Sequence, residues 1–131
     1  MKSRDTLLRL KRFQADEKRR RVKQLEMMIA EFHRMAGDLE REIAGEEQRA
    51  RISDPTHFAY PTYARAARGR RDNILSSADE LKGQLEEAQA ARDEAEAELA
   101  KVEHLESREK PAAEAMRAPD MRLMGLRGAT A

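Results

Sequence analysis

The sequence of 131 residues contains no cysteine and no tryptophan. The lack of cysteine excludes disulfide scaffolds, zinc ribbons and thiol catalysis. Aromatic residues make up only 4% of the chain, so few bulky side chains are present to fill a globular core. No apolar run approaches the roughly 18 residues of a membrane span, and the charged N-terminus lacks the hydrophobic region of a signal peptide. We therefore expect a soluble, cytosolic protein.

Charged side chains are what the sequence has in abundance. They make up 39% of the residues, yet the formal net charge is only +1. High charge of a single sign favours disorder, whereas balanced charge with abundant Ala, Glu, Leu, Arg and Lys is typical of long helices and coiled coils. The composition predicts one all-α structural unit.

One interior stretch interrupts this helical composition. Asp54 can cap a short turn, and Pro55 suits the first position of a helix, where no amide hydrogen bond is lost. Pro61 cannot lie inside a helix and favours an extended Tyr60. The sequence thus predicts a helix over about residues 4–50, a connector over about residues 51–62 and a second helix over about residues 62–108.

Both predicted helices carry an apolar stripe with alternating steps of three and four residues, which is the pattern of a coiled-coil seam. On the first helix the seam consists of Val22, Leu25, Ile29, Phe32, Ala36, Leu39 and Ile43. On the second it consists of Ile74, Ala78, Leu81, Leu85, Ala88, Ala95, Leu99 and Val102, with Arg92 in the gap.

The charge distribution indicates how the helices pair. Residues 1–25 hold ten basic and three acidic side chains, and residues 76–110 hold five and eleven. Folding back at the connector lays these opposite charges side by side, and flanking charges set the orientation of a coiled coil. In one register Leu8 lies opposite Val102, and Leu39 lies close to Ile74. The predicted fold is a long antiparallel two-helix coiled-coil hairpin over residues 1–110, with a flexible C-terminal tail over residues 111–131.

No motif in the sequence indicates catalysis. The three histidines, His33, His57 and His104, are far apart, and none has a histidine or cysteine at helical spacing to share a metal ion. There is no glycine-rich phosphate loop, and a two-helix hairpin has no closed pocket to shift the pKa of a carboxylate. We expect no enzyme, no cofactor and no small-molecule substrate.

A basic run, Lys18, Arg19, Arg20 and Arg21, is the first candidate contact site. Clustered cations can release counterions from a nucleic acid. The chain as a whole is nearly neutral, however, and no aromatic side chains are interleaved with the run to stack on bases. Docking of a protein partner, or a solvated face, is therefore favoured over nucleic acid.

Apolar side chains off the seam form the second group of candidates. Leu10 and Phe13 lie near the N-terminus, and Met28 and Met35 widen the stripe beside Phe32. Two interpretations stay open. Either a partner covers these side chains, or the tail folds back over them through Met121, Leu123, Met124 and Leu126.

Three of the five aromatic residues lie in or beside the connector. We expect Phe58 to staple the turn. Tyr60 and Tyr63 are either further staples or partner contacts, because amphipathic rings are enriched at interface hot spots.

Two segments resemble a known family, the flagellar export protein FliJ family of the alphaproteobacterial type. The first contains MKSRD at residues 1–5, LKRF at residues 10–13 and DEKRR at residues 16–20. The second contains ISDP at residues 52–55 and FAYPTYA at residues 58–64. The likeness extends to about residue 106 and fades in the tail, and the heptads between the two segments add little to it.

The resemblance implies a function that periodicity does not show. Members of that family are antiparallel coiled coils similar to the stalk of the rotary ATP synthase gamma subunit. They work at the cytoplasmic face of the inner membrane as non-enzymatic components of flagellar type III protein export. Their partners are the hexameric export ATPase, the export gate in the membrane and the export chaperones.

Combining both arguments, we expect one contact to involve Leu10, Phe13 and the basic run, and another to involve Met28, Phe32 and Met35. A generic cytoplasmic coiled-coil adaptor or scaffold is the alternative, with hairpins paired into a four-helix dimer through the widened stripe.

Overall fold

The computed structural model describes the backbone of residues 2–117 and the side chains of residues 3–108. Helix α1 spans Lys2–Ala50 and helix α2 spans Thr62–Arg117, and no strand occurs among the described residues. The two helices pack against each other in antiparallel orientation. The predicted all-α hairpin is therefore confirmed, and its connector comprises residues 51–61.

The described residues divide into two compact units, of which the first joins those up to Glu17 with those from Arg92 onward. Its buried cluster consists of Leu8, Ala15, Leu99 and Val102, with Ala95 packed against it. Leu8 and Val102 thus lie in one cluster, as their register predicts. The Lys11 ammonium donates to Glu98 Oε2 over 2.8 Å, which adds an ion pair between the helices.

The second unit is Lys18–Ala91. A buried cluster of this unit packs Leu39 and Ile43 of α1 against Ala64 and Ala67 of α2, together with Tyr60 from the connector. Ile52 and Ile74 pack against this cluster, so Leu39 and Ile74 share it as predicted. Each large side chain that is removed from water here stabilises the fold by about 1.5–3 kcal/mol.

Helix α1 ends in a Schellman motif. The Ile52 N–H donates to Glu47 O over 3.2 Å, and the Arg51 N–H donates to Gln48 O over 3.3 Å. Arg51 is left-handed with φ of 57°, and it is the one described non-glycine residue with positive φ. Glycine is the usual residue at this position because it has no Cβ. The motif turns the chain so that Ile52 reaches the apolar cluster.

The connector is held by short-range hydrogen bonds. Asp54 Oδ1 accepts from the Thr56 N–H over 2.9 Å and from the Thr56 hydroxyl over 2.7 Å. These bonds lower the pKa of Asp54, the backbone bond contributing most. Two turns follow, closed by bonds from His57 N–H to Asp54 O and from Tyr60 N–H to His57 O. The capping role expected for Asp54 is thus present.

Helix α2 extends farther than predicted. It continues through Pro111 to Arg117 instead of ending near residue 108. Proline removes one helical hydrogen bond, but alanine and glutamate dominate residues 112–117 and are strong helix formers. Residues 118–131 of the expected tail, including Met121, Leu123, Met124 and Leu126, lie outside the described residues.

Candidate functional site

Tyr60 lies in the core of the second unit. Its side chain is 4% exposed, and its hydroxyl donates to Glu47 Oε2 over 2.7 Å. Burial raises the pKa of Tyr60 above the ordinary value of 10.0, and the bond to Glu47 raises it further. A ring enclosed in this way cannot contact a partner, which corrects the expectation that placed Tyr60 among the contact residues.

Phe58 is exposed, although we expected it to pack against the turn. Its side chain is 95% exposed and stacks on the ring of His57, with 4.8 Å between ring centroids. Phe58 lies inside the turn closed by Tyr60 N–H and His57 O, and at this exposure its ring is not packed against either helix. The staple predicted at Phe58 is wrong, and Tyr60 fills that role.

Tyr63 is half exposed at the start of α2 and remains accessible. Its hydroxyl donates to Glu42 Oε2 of α1 over 2.8 Å. This bond raises the pKa of Tyr63, because a phenolate beside a carboxylate is unfavourable. The tyrosine can offer a ring face to a partner while its hydroxyl ties the two helices together.

All four side chains of the basic run, Lys18, Arg19, Arg20 and Arg21, are exposed. Arg21 Nη2 donates to Gln84 Oε1 of α2 over 3.3 Å. Both residues line a groove of about 250 Å³ between the helices, together with Lys18, Glu87, Ala88 and Ala91. The run therefore provides cations beside a groove that is partly floored by small side chains.

The off-seam apolar residues are exposed, as their positions predict. In the first unit Leu10 and Phe13 are 48% and 56% exposed. In the second unit Met28 and Met35 are 44% and 38% exposed. Phe32 belongs to the seam and is half-buried.

Charged side chains around the methionines pair along α1. Arg34 donates to Glu31 and to Asp38, and Arg41 donates to Asp38. The hydrogen bond from Arg34 lowers the pKa of Glu31. These groups satisfy one another on the surface, and the apolar side chains between them are left exposed.

Sequence reasoning missed several exposed apolar side chains. Leu7 and Leu105 are exposed in the first unit, and Met27 is exposed in the second. The spacing of three between Leu7 and Leu10 is the signal that could have found Leu7. The heptad pattern does not mark Leu105, because the step of four that follows Val102 places the next seam position at residue 106.

The described residues contain neither a candidate metal site nor a helix that could span a membrane. Among them, no group of three or more His, Asp or Glu side chains is arranged to hold a metal ion. No helix in that part of the chain is long and apolar enough to cross a membrane.

Comparison with known proteins adds no relative. The chain matches no protein-family model, no curated protein and no solved structure. The candidate contact surfaces rest on the residues and their geometry alone.

Proposed function

We propose that the chain is a non-enzymatic stalk and chaperone-escort component of the flagellar type III protein export apparatus, of the FliJ type. In this role it links the hexameric export ATPase to the export gate at the cytoplasmic face of the inner membrane, and it binds export chaperones. The observation that carries the proposal is the antiparallel two-helix hairpin, which is the fold that the resemblance implies.

The exposed apolar side chains of α1 support a coupling role. Leu10 and Phe13 lie off the buried seam of α1, and about half of each side chain is exposed. Large apolar and aromatic side chains are the usual anchors of protein interfaces. We assign Leu10 and Phe13 to a contact with one partner, and Met28 and Met35 to a contact with another, because methionine adapts to varied surfaces.

The proposal is tested by purifying the tagged chain from the membrane-associated fraction of its native bacterium and identifying co-purified proteins by mass spectrometry. We expect the export ATPase and the export gate to be recovered. The variant Leu10→Ala with Phe13→Ala should lower that recovery by well over tenfold, since removing the two interface anchors costs about 1–2 kcal/mol each and about 1.4 kcal/mol is tenfold in affinity. Its helicity should be unchanged, because both side chains lie outside the buried cluster.

Met27→Ala is the matched control. Met27 is also an apolar side chain of α1, it is 70% exposed, and it lies off the seam in the second unit, whereas Leu10 and Phe13 lie in the first. This variant should recover the same partners as the unchanged chain. Recovery of no export component, or loss of helicity in the Leu10 and Phe13 variant, would contradict the proposal.

A generic coiled-coil adaptor or scaffold is the second candidate function. The observation that favours it is the exposure of Met28 and Met35 beside the seam, which suits a helical partner of any origin. Reproducible recovery of unrelated cytosolic proteins, lost on substitution of these two methionines, would support this function instead.

A further inference from the structure

A heptad stripe on α1 is left uncovered in the second unit. Arg21, Met28, Met35 and Glu42 recur at every seventh residue and therefore lie on one flank of the helix, two turns apart. Phe32 lies between the two methionines. We call these five residues the α1 stripe.

Hydrogen bonds to α2 define the face on which the stripe lies. At one end Arg21 donates to Gln84, and at the other end Glu42 accepts from Tyr63. Tyr63 and Gln84 are three heptads apart on α2 and therefore share one flank of that helix, so the stripe runs beside that flank. Its length of three heptads is about 32 Å at 1.5 Å per residue, long enough for coiled-coil packing.

The stripe has opposite charges at its two ends. Five basic side chains lie within residues 18–23, whereas residues 38–46 hold four acidic side chains and one basic. The apolar centre is made of Met28, Phe32 and Met35. Along α1 the stripe therefore has a basic end at Arg21, an apolar centre and an acidic end at Glu42.

This pattern is complementary to itself when it is reversed. When a second copy of α1 lies antiparallel to the first, Met35 of the second copy can lie against Met28 of the first. The same register then places Met28 of the second copy against Met35 of the first. The same register sets Arg21 opposite Glu42 of the second copy, and Glu42 opposite its Arg21. A parallel copy would instead place Arg21 against Arg21 and Glu42 against Glu42, which is unfavourable.

We propose that the α1 stripe is a self-association surface, on which a second copy of this chain packs its own α1 in antiparallel orientation with Met28 against Met35. The interface is isologous, as expected of a two-fold dimer, since the same residues contribute from both copies. Burial of the methionines and of the part of Phe32 that is exposed stabilises the pair, and the charges at the ends set its orientation.

The inference goes beyond the proposed function, because it concerns the free protein and needs no export component. It gives a register and an orientation to the four-helix dimer that is expected of an adaptor or scaffold. A partner that uses Met28 and Met35 must displace the second copy, so self-association and that contact exclude each other. Leu10 and Phe13 are not part of the stripe.

Cross-linking tests the orientation directly. The chain has no cysteine, so each introduced thiol is unique. Full-length Met28→Cys and Met35→Cys chains with different tags are mixed and treated with a short bismaleimide. We expect the mixed product, residue 28 joined to residue 35, to exceed either like-to-like product by roughly tenfold. A predominance of 28-to-28 and 35-to-35 products, or no cross-linked dimer, would overturn the proposal.

Charge reversal tests the ends of the stripe. Sedimentation of the purified chain over about 1 to 200 μM should show a concentration-dependent mass approaching that of a dimer. Arg21→Glu and Glu42→Arg should each raise the dissociation constant at least tenfold, because each places like charges together. Mixing these two variants should restore association, since the heterodimer regains both opposite-charge contacts.

Arg9→Glu and Glu26→Arg are the matched controls. Both residues are exposed on α1 and lie outside the stripe, so the same charge changes there should leave the dissociation constant within about twofold. Restored association in the mixture also shows that neither stripe variant is misfolded. A monomer at every concentration, or single variants that the mixture does not rescue, would refute self-association through this surface.

Discussion

Glu47 contacts two side chains near the connector. Its Oε2 accepts from the Tyr60 hydroxyl over 2.7 Å and lies 3.5 Å from Arg68 Nη1. Glu47 is only 19% exposed, so its contacts are screened less than those of a surface pair. Arg65 lies over the Tyr60 ring at 5.4 Å and donates to Pro55 O over 3.0 Å. Together these side chains join the end of α1 to the start of α2.

The two aromatic residues of the connector should respond oppositely to truncation. Tyr60→Ala should lower the free energy of unfolding by about 3 kcal/mol, since it removes a buried ring and the bond to Glu47. Tyr60→Phe should cost about 1 kcal/mol, because only the hydrogen bond is lost. Phe58→Ala serves as the control and should change stability by less than about 0.5 kcal/mol. Urea unfolding followed by circular dichroism measures all three.

Equal losses for Tyr60→Ala and Phe58→Ala would show that both rings are buried. These two residues also show a limit of sequence reasoning. They are of similar size, lie two positions apart and occur in the same turn, so composition and spacing treat them alike. The choice between them depends on the backbone path from Asp54 to Tyr60 and on whether a carboxylate is available to pair with the hydroxyl.

At the scale of elements, the end of α1 uses an unfavourable residue. Arg51 adopts φ of 57°, where an L-residue with a Cβ is strained by about 1 kcal/mol. The hydrogen bonds of the Schellman motif and the partial burial of Ile52 compensate for that strain.

Arg51→Gly should therefore stabilise the protein by about 1 kcal/mol, because glycine adopts this conformation without strain. Ala44→Gly is the control, since Ala44 is exposed inside α1 and glycine there should destabilise the protein by about 1 kcal/mol. The same residue introduced at two positions thus changes stability in opposite directions. Chemical unfolding of both variants measures the difference, and destabilisation by Arg51→Gly would contradict the role assigned to the strain.

The elements themselves could largely be predicted from sequence. The alternating spacing of apolar residues identified the seam, and residues such as Val22, Leu25 and Leu99 are buried. The connector was found because Pro55 and Pro61 are incompatible with a continuous helix. The end of α2 was misplaced, because one proline was given more weight than the helix-forming residues after it.

At the scale of the whole molecule, the described acidic groups with shifted pKa values all stabilise the fold in their charged form. Hydrogen bonds lower the pKa of Glu31 and Glu98 below 4.5, and that of Asp54 below 3.8, with Arg34, Lys11 and Thr56 as the respective donors. Their contribution to stability is present above these ordinary values and is lost as the pH falls through the lowered ones.

The tyrosines behave in the opposite sense. The pKa values of Tyr60 and Tyr63 are raised above 10.0, by burial and by hydrogen bonding to carboxylates respectively. Their neutral forms stabilise the fold, so this contribution is present below the ordinary value and is lost as the pH rises through the raised one.

The free energy of unfolding should consequently be nearly constant between about pH 5 and pH 9 and should fall on both sides. Urea titrations at a series of pH values measure this profile. Glu98→Gln should reduce the acid slope, and Tyr60→Phe combined with Tyr63→Phe should reduce the alkaline slope. A steep change in stability between pH 6 and pH 8 would contradict the assignment.

The sequence by itself determined the class of structure, the two helices, their seam and their antiparallel pairing. These features depend on the period of the apolar residues, on proline chemistry and on the charge of whole segments, all of which are properties of the linear chain. Only the tertiary structure decided that Tyr60 is buried, that Phe58 is exposed and that Glu47 gathers the contacts near the turn. It also decided that Arg21 and Glu42 lie at the two ends of the exposed α1 stripe. Such outcomes depend on which side chains the turn brings within hydrogen-bonding distance. The spacing of residues along the chain does not determine these distances, because they depend on the path of the backbone through the turn.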